Sequence, residues 1–280
     1  MSAQTPRLTP SELARLDVSP EDPHHGSGPP HTEPLADLAD HLTDQLVDRA
    51  HQVSERAHQV SEKAQELYAE VRPRLRGWLH AATVPLALVA GIVLVTHSPA
   101  GVVRLGSAVF ALSALLLFTV SATMHRGGWS RRTNLLLCRM DHASIFVLIA
   151  GSYTPFALVL LEGTERTVLL LVAWGGALIG GCFRLLWTDA PRWLYTPVYL
   201  ALGWVSVFFF DDFLASGGTG VVALIAAGGL LYTLGAIVYG LRRPNPIPAW
   251  FGFHEVFHSF TVVAFALHYA GVSVATYAVT

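Results

Sequence analysis

Seven stretches of this chain, at about residues 78–97, 104–125, 135–160, 167–188, 193–213, 219–241 and 252–278, are each long and apolar enough to cross a lipid bilayer. A spanning helix needs roughly 20 mostly apolar residues, and its backbone must satisfy its own hydrogen bonds because lipid offers none. The connections (HSPAG, RGGWSRRTN, EGTERT, TDAPRW, ASGGTG, RRPNPIPA) are short and polar or carry Gly and Pro. Links this short favour an up-down bundle over large extramembrane domains. The expected fold is an all-α membrane protein, a seven-transmembrane helix bundle over residues 73–280.

Charge is segregated along the chain. Residues 1–76 hold 21 of the 38 charged side chains, 13 acidic and 8 basic, so a polar head precedes a body with few charges. With 52% hydrophobic residues and a mean hydropathy of +0.45, the whole is too apolar for a soluble protein. No basic stripe exists, which excludes nucleic acid as a partner. The head contains no apolar run of the signal-peptide kind, so the N-terminus is expected to stay uncleaved in the cytoplasm. The arginines agree with that orientation. Arg72, Arg74, Arg76, Arg126, Arg131, Arg132, Arg192, Arg242 and Arg243 then flank the spans inside, against Arg104 and Arg166 outside, and the C-terminus lies outside. Cys138 and Cys182 sit in apolar segments and read as small buried hydrophobes, neither a disulfide nor a metal pair.

The head divides in two. Residues 1–34 are rich in Pro, Ser, Thr, Asp and Glu and are expected to form a disordered polar tail, with His24, His25 and His31 solvated in it. Residues 35–72 read as an amphipathic, heptad-patterned cytoplasmic helix, in which RAHQVSE at 49–55 repeats identically at 56–62. Leu46, Ala50, Val53, Ala57, Val60, Ala64, Leu67 and Val71 form its a/d seam. A seam of such small residues suits weak self-association or a protein partner over 46–71. A helix lying along the membrane surface or a solvated spacer fits it equally.

Polar residues of the body become informative once placed in depth. His125 ends the second predicted span, Asp141 lies near the start of the third, and His254 and His258 open the seventh, so all four fall at one cytoplasmic level. Ionisable groups at membrane depth cost roughly 2.5–3.5 kcal/mol for an Asp at a helix centre, less near the interface, and mark functional sites when they face the bundle interior. His254 and His258, four residues apart, share one helix face and can bind one metal ion; His125 offers a third nitrogen. Three histidines with a water in the fourth position is the pattern of a catalytic zinc site. Asp141, read as lying at a helix N-terminus whose dipole favours the anion, is placed to hold or deprotonate that water. Ser121, one turn before His125, is placed to hydrogen-bond a substrate carbonyl or a metal-bound ligand.

Other readings compete. His80, His97 and His142 read as ordinary interfacial residues. Asp141 alone is explained as a helix cap or a partner of Arg139, and Ser121 alone as bonded back to its own helix. His254-Glu255-Val256-Phe257-His258 matches the H-E-x-x-H pattern of zinc proteases, in which the Glu is the base. The 22 residues that follow contain no Asp or Glu and one His, so the protease reading is the weaker one. Glu255, rotated about 100° from His254, is left between that role and facing lipid headgroups. His268, roughly 15 Å further along the helix, is expected to face the interior as a packing residue or to line a cavity.

Three blocks carry a family resemblance: SATMH at 121–125, MDHASIFVLIAGSYTPF at 140–156, and HEVFH at 254–258 followed by His268. Together they are similar to the signature blocks of the hemolysin III family, the bacterial branch of the progestin and adipoQ receptor superfamily, and the likeness covers about residues 73–280. The segment RGWLH at 76–80 looks like the family's entry to the first helix but lacks the Glu and Asn that many relatives carry there, so His80 takes no role from it.

The resemblance implies Zn2+ held by His125, His254 and His258, with Asp141 contacting the zinc-bound water. It also implies a multi-pass protein of the bacterial inner membrane. The first expectation is a zinc-dependent hydrolase of a membrane lipid amide or ester, involved in lipid homeostasis, in which Asp141 orients and deprotonates the water and Ser121 assists the oxyanion or leaving group. The alternative is a non-enzymatic sensor of membrane state with structural zinc, its lipid a ligand instead of a substrate. A cytolysin fits least, since the chain reads as an ordinary multi-span protein.

Overall fold

Where the solvent cannot hydrogen-bond, a chain this apolar folds into helices, and that is what the computed structural model contains. It describes residues 33–70, 73–187 and 190–279. Among these the only strand-like pairing is one isolated bridge, Ile247 to Phe251. Contacts divide the chain into two units, residues 1–66 and 67–280. In the first, helix α1 (Glu33–Glu70) contains the duplicated heptads, and the seam residues Leu46, Val53 and Val60 are exposed. The expected polar tail falls on residues outside the described ones, apart from its last two.

The body holds α2 (Trp78–His97), α3 (Val102–Arg126), α4 (Arg131–Leu160), α5 (Gly163–Leu186), α6 (Arg192–Gly203), a 3-10 turn (Val205–Phe209), α7 (Phe210–Leu241) and α8 (Phe253–Tyr277). Among the described residues six stretches are long and apolar enough to cross a membrane: α2, α3, α4, α5, residues 193–241, and α8. The predicted spans at 193–213 and 219–241 both lie in the 193–241 stretch. It is interrupted by the 3-10 turn and by Gly218, whose backbone is non-helical (φ 71°, ψ 175°). The Tyr153 hydroxyl donates to the carbonyls of Leu202 and Gly203 and accepts from the Ser206 amide at 3.2 Å, so the turn's loose backbone groups are satisfied from α4.

α4 begins four residues before its predicted start because Ser130 caps it, accepting from the Thr133 amide at 3.3 Å. Asp141 therefore lies three turns into the helix. The helix dipole acts within the first turn only, so the expectation that it favours the Asp141 anion does not hold. Neither cysteine forms a disulfide, but Cys138 is half-buried and Cys182 exposed, so the reading of both as buried hydrophobes is corrected.

α4 packs between α3 and α5, α7 lies along α8, and α2 bridges α3 and α8. Small residues permit these approaches, as expected where lipid tails are as apolar as the side chains and packing must do the work. A Cβ on Gly151 would meet the Ser113 hydroxyl at 2.2 Å, and one on Gly180 would meet the ring of Phe146 at the same distance. Phe146 is fully buried and has nowhere to go. Gly180→Val is therefore expected to destabilise the body by about 1–3 kcal/mol or more, seen as a lower Tm in detergent. Gly175→Val on the same helix, with no atom within 4 Å of its Cβ, leaves Tm unchanged.

Candidate metal centre

The two ends that carry the histidines are brought together by the segment before α2. Gly77 caps α2 in the left-handed region (φ 78°), and a Cβ there would stand 2.7 Å from the Cβ of His125. Only glycine allows both the turn and the approach. On the other side, the Arg74 and Leu75 amides donate to the carbonyls of Ala249 and Trp250 at 3.0 and 3.2 Å, tying the segment to the loop that enters α8. His125 at the end of α3 thus faces His254 and His258 in the first two turns of α8.

The three imidazoles converge. One ligand atom from each of His125, His254 and His258 lies within 4.8 Å of the other two, and the Nε2 atoms of His125 and His254 are 3.0 Å apart. Metal–nitrogen bonds of about 2.0–2.1 Å place the nitrogens of a tetrahedral site about 3.3 Å apart, so this donor set fits a metal ion with little movement. His258 is 2% exposed and its Nδ1 makes no hydrogen bond. A buried ring nitrogen without a partner calls for an explanation, which metal ligation by this cluster supplies.

Asp141 reaches the cluster from α4, its Oδ2 3.8 Å from the His125 Nε2. Ser121, buried one turn before His125, has its side chain beside the Asp141 carboxylate. The structure thus brings His125, His254, His258, Asp141 and Ser121 to one end of the bundle.

His80 was read as an interfacial residue, and the structure corrects this. It is 2% exposed, neither ring nitrogen has a hydrogen-bond partner, and the ring stacks on His258 with centroids 3.8 Å apart and planes 9° apart. In-plane lone pairs of two parallel rings cannot converge on one ion, so His80 packs behind His258 and would not add a fourth nitrogen to a metal held there. Helix rotation puts it there, and no spacing within α2 announces it. His142, also read as interfacial, is built into the bundle: its Nδ1 lies 2.7 Å from the Cys138 carbonyl and its Nε2 3.2 Å from the Tyr239 hydroxyl.

Glu255 does not face lipid headgroups. It is fully buried, with Oε1 2.5 Å from the Arg76 Nε and Oε2 accepting from the Gly252 amide at 2.9 Å. One oxygen caps the start of α8 and the other pairs with Arg76, so Glu255 is occupied away from the role of base that an H-E-x-x-H protease gives it. His268 does face the interior: its Nε2 is 3.3 Å from the Ile225 carbonyl, and Gly228 of α7 leaves the room its ring occupies.

Comparison with known proteins agrees with this architecture. The family model described as "Haemolysin-III related" matches residues 68–269. The chain is 36% identical to the hemolysin-3 homolog of Bacillus subtilis (strain 168) over 154 residues, covering 55% of this chain and 69% of the relative. Against the hemolysin-3 of Bacillus cereus it is 29% identical over 57% of this chain and 74% of the relative. A more distant likeness, 27% identity over 62% of this chain and 83% of the relative, is to heptahelical transmembrane protein ADIPOR2 of Oryza sativa subsp. japonica. The chain belongs to the hemolysin III family, within the progestin and adipoQ receptor superfamily.

Proposed function

We propose that this protein is a zinc-dependent hydrolase of a membrane lipid amide or ester, seated in the bacterial inner membrane and serving lipid homeostasis. The observation that carries the reading is the convergence of His125, His254 and His258 from two helices beside the carboxylate of Asp141. Among the described residues three histidines converge, and three such ligands with water in the fourth tetrahedral position are the pattern of a catalytic site. When bound there, zinc supplies a Lewis acid for a carbonyl oxygen and a water that ionises near neutral pH.

The chain's own residues do the rest. Asp141 orients the attacking water and takes its proton, and later returns a proton to the leaving amine or alcohol. Ser121, beside the Asp141 carboxylate, assists the developing oxyanion or the leaving group. In this reading the lipid substrate reaches the site from the bilayer that surrounds the bundle. A structural-zinc regulator is the second reading, and the nearness of Asp141 to His125 favours it only if the carboxylate itself ligates the ion.

We propose further that the body crosses the membrane seven times. At about 1.5 Å per residue, an unbroken 49-residue helix over 193–241 would be more than twice as long as the roughly 30 Å hydrocarbon core. The non-helical Gly218 in its polar ASGGTG neighbourhood supports a reversal there. The rice relative's name, heptahelical, agrees. The arginine asymmetry then puts the N-terminus and the metal centre at the cytoplasmic side.

Asp141→Asn is expected to keep stoichiometric zinc and to lower turnover of a lipid extract by roughly 10²–10⁴-fold, the usual contribution of a positioned acid or base. Loss of zinc from this variant identifies Asp141 as a ligand and favours the regulator; full turnover removes it from the mechanism. For topology, a background lacking Cys138 and Cys182 carries either Thr219→Cys or Ser130→Cys. A membrane-impermeant thiol reagent should label the first and spare the second in intact cells. The reverse pattern contradicts the orientation.

A further inference from the structure

We infer that Glu255 and Arg76 form a latch that sets the metal-binding end of α8 against His125, which makes both of them positioning residues. The inference rests on the reading of His125, His254 and His258 as metal ligands. Glu255 stands between the two ligands of α8 in sequence but about 100° round the helix from His254, where its carboxylate takes the Arg76 Nε at 2.5 Å and the Gly252 amide at 2.9 Å. A Glu at the third position of a helix is a common cap, and a neutral Gln serves that purpose equally. The ion pair is what a cap does not require. It joins residues 179 apart in the chain and buries the carboxylate completely.

Position explains the pair. α3 and α8 touch only sparingly, whereas α8 packs along α7. The register between His125 and the α8 histidines therefore depends on what connects their ends, and that is the segment 73–77. Its Gly77 lies against His125, while Arg74 and Leu75 donate to the backbone of the loop entering α8 and the Arg74 guanidinium stands 4.5 Å over the Trp250 ring. Arg76 closes the arrangement from the same segment. Buried ion pairs contribute little net stability, and their best-attested use is to fix register. Groups that orient metal ligands from behind change affinity by 10–100-fold when removed.

The test is zinc affinity, by chelator competition, of the full-length wild type, Glu255→Gln, Arg76→Gln and the double variant. Glu255→Gln keeps an acceptor for the Gly252 amide, so the cap survives and only the ion pair is lost. Each single variant is expected to bind zinc 10–100-fold more weakly, and the double variant no more weakly than the worse single, because both remove one interaction. Hydrogen exchange at residues 253–258 of the metal-free protein, expected to speed up in both singles, reads the latch without metal. Folded single variants with wild-type zinc affinity and wild-type exchange overturn the latch. A wild type that binds no zinc overturns the metal reading instead, and the exchange measurement then decides the latch on its own.

Discussion

Hydrocarbon offers no partner to a polar atom, so each one inside this bundle must be met by another part of the chain or by something the chain binds. Most polar groups here meet the first condition locally. Ser152, Thr154, Thr83 and Thr261 return their hydroxyls to carbonyls three or four residues back, and Tyr153 satisfies the interrupted backbone after α6. The cluster of His125, His254 and His258 is different, since imidazole nitrogens turn towards one another. Nitrogen atoms gathered in this way are the arrangement that a cation stabilises. The rest of the site follows from holding them there: Gly77 for close approach, Asp141 and Ser121 from the neighbouring helices, and His80 stacked behind His258.

Much of this was readable from sequence because lipid enforces a simple code. Apolar length locates the spans, and residues at span ends share a depth, so His125, Asp141, His254 and His258 fall together without any knowledge of packing. What the code omits is rotation about each helix axis. It could not say that His80 faces inward behind a ligand, nor which way Glu255 points, because one turn of helix offers both an interior and a lipid face. The start of α4 was missed for a local reason: Ser130 caps it before the apolar run begins, which moves Asp141 away from the helix terminus and leaves its carboxylate beside Ser121 and His125.

Glu255 shows how a short motif misleads when context is ignored. His254-Glu255-x-x-His258 has the letters of a protease site, yet here the glutamate serves the backbone and an arginine from the other end of the chain. The proposed function rests instead on a carboxylate that no local motif contains, Asp141 on α4. The histidine pair, the third histidine and the aspartate are contributed by three separate helices, so the site exists only once the bundle has assembled.

The central claim is that three imidazoles hold one metal and leave a position for oxygen. X-ray absorption spectroscopy at the zinc edge of the purified protein measures this directly. The account predicts three histidine nitrogens at about 2.0–2.1 Å with one oxygen completing a tetrahedron. A first shell without imidazole scattering, or one closed by four nitrogens, would contradict it.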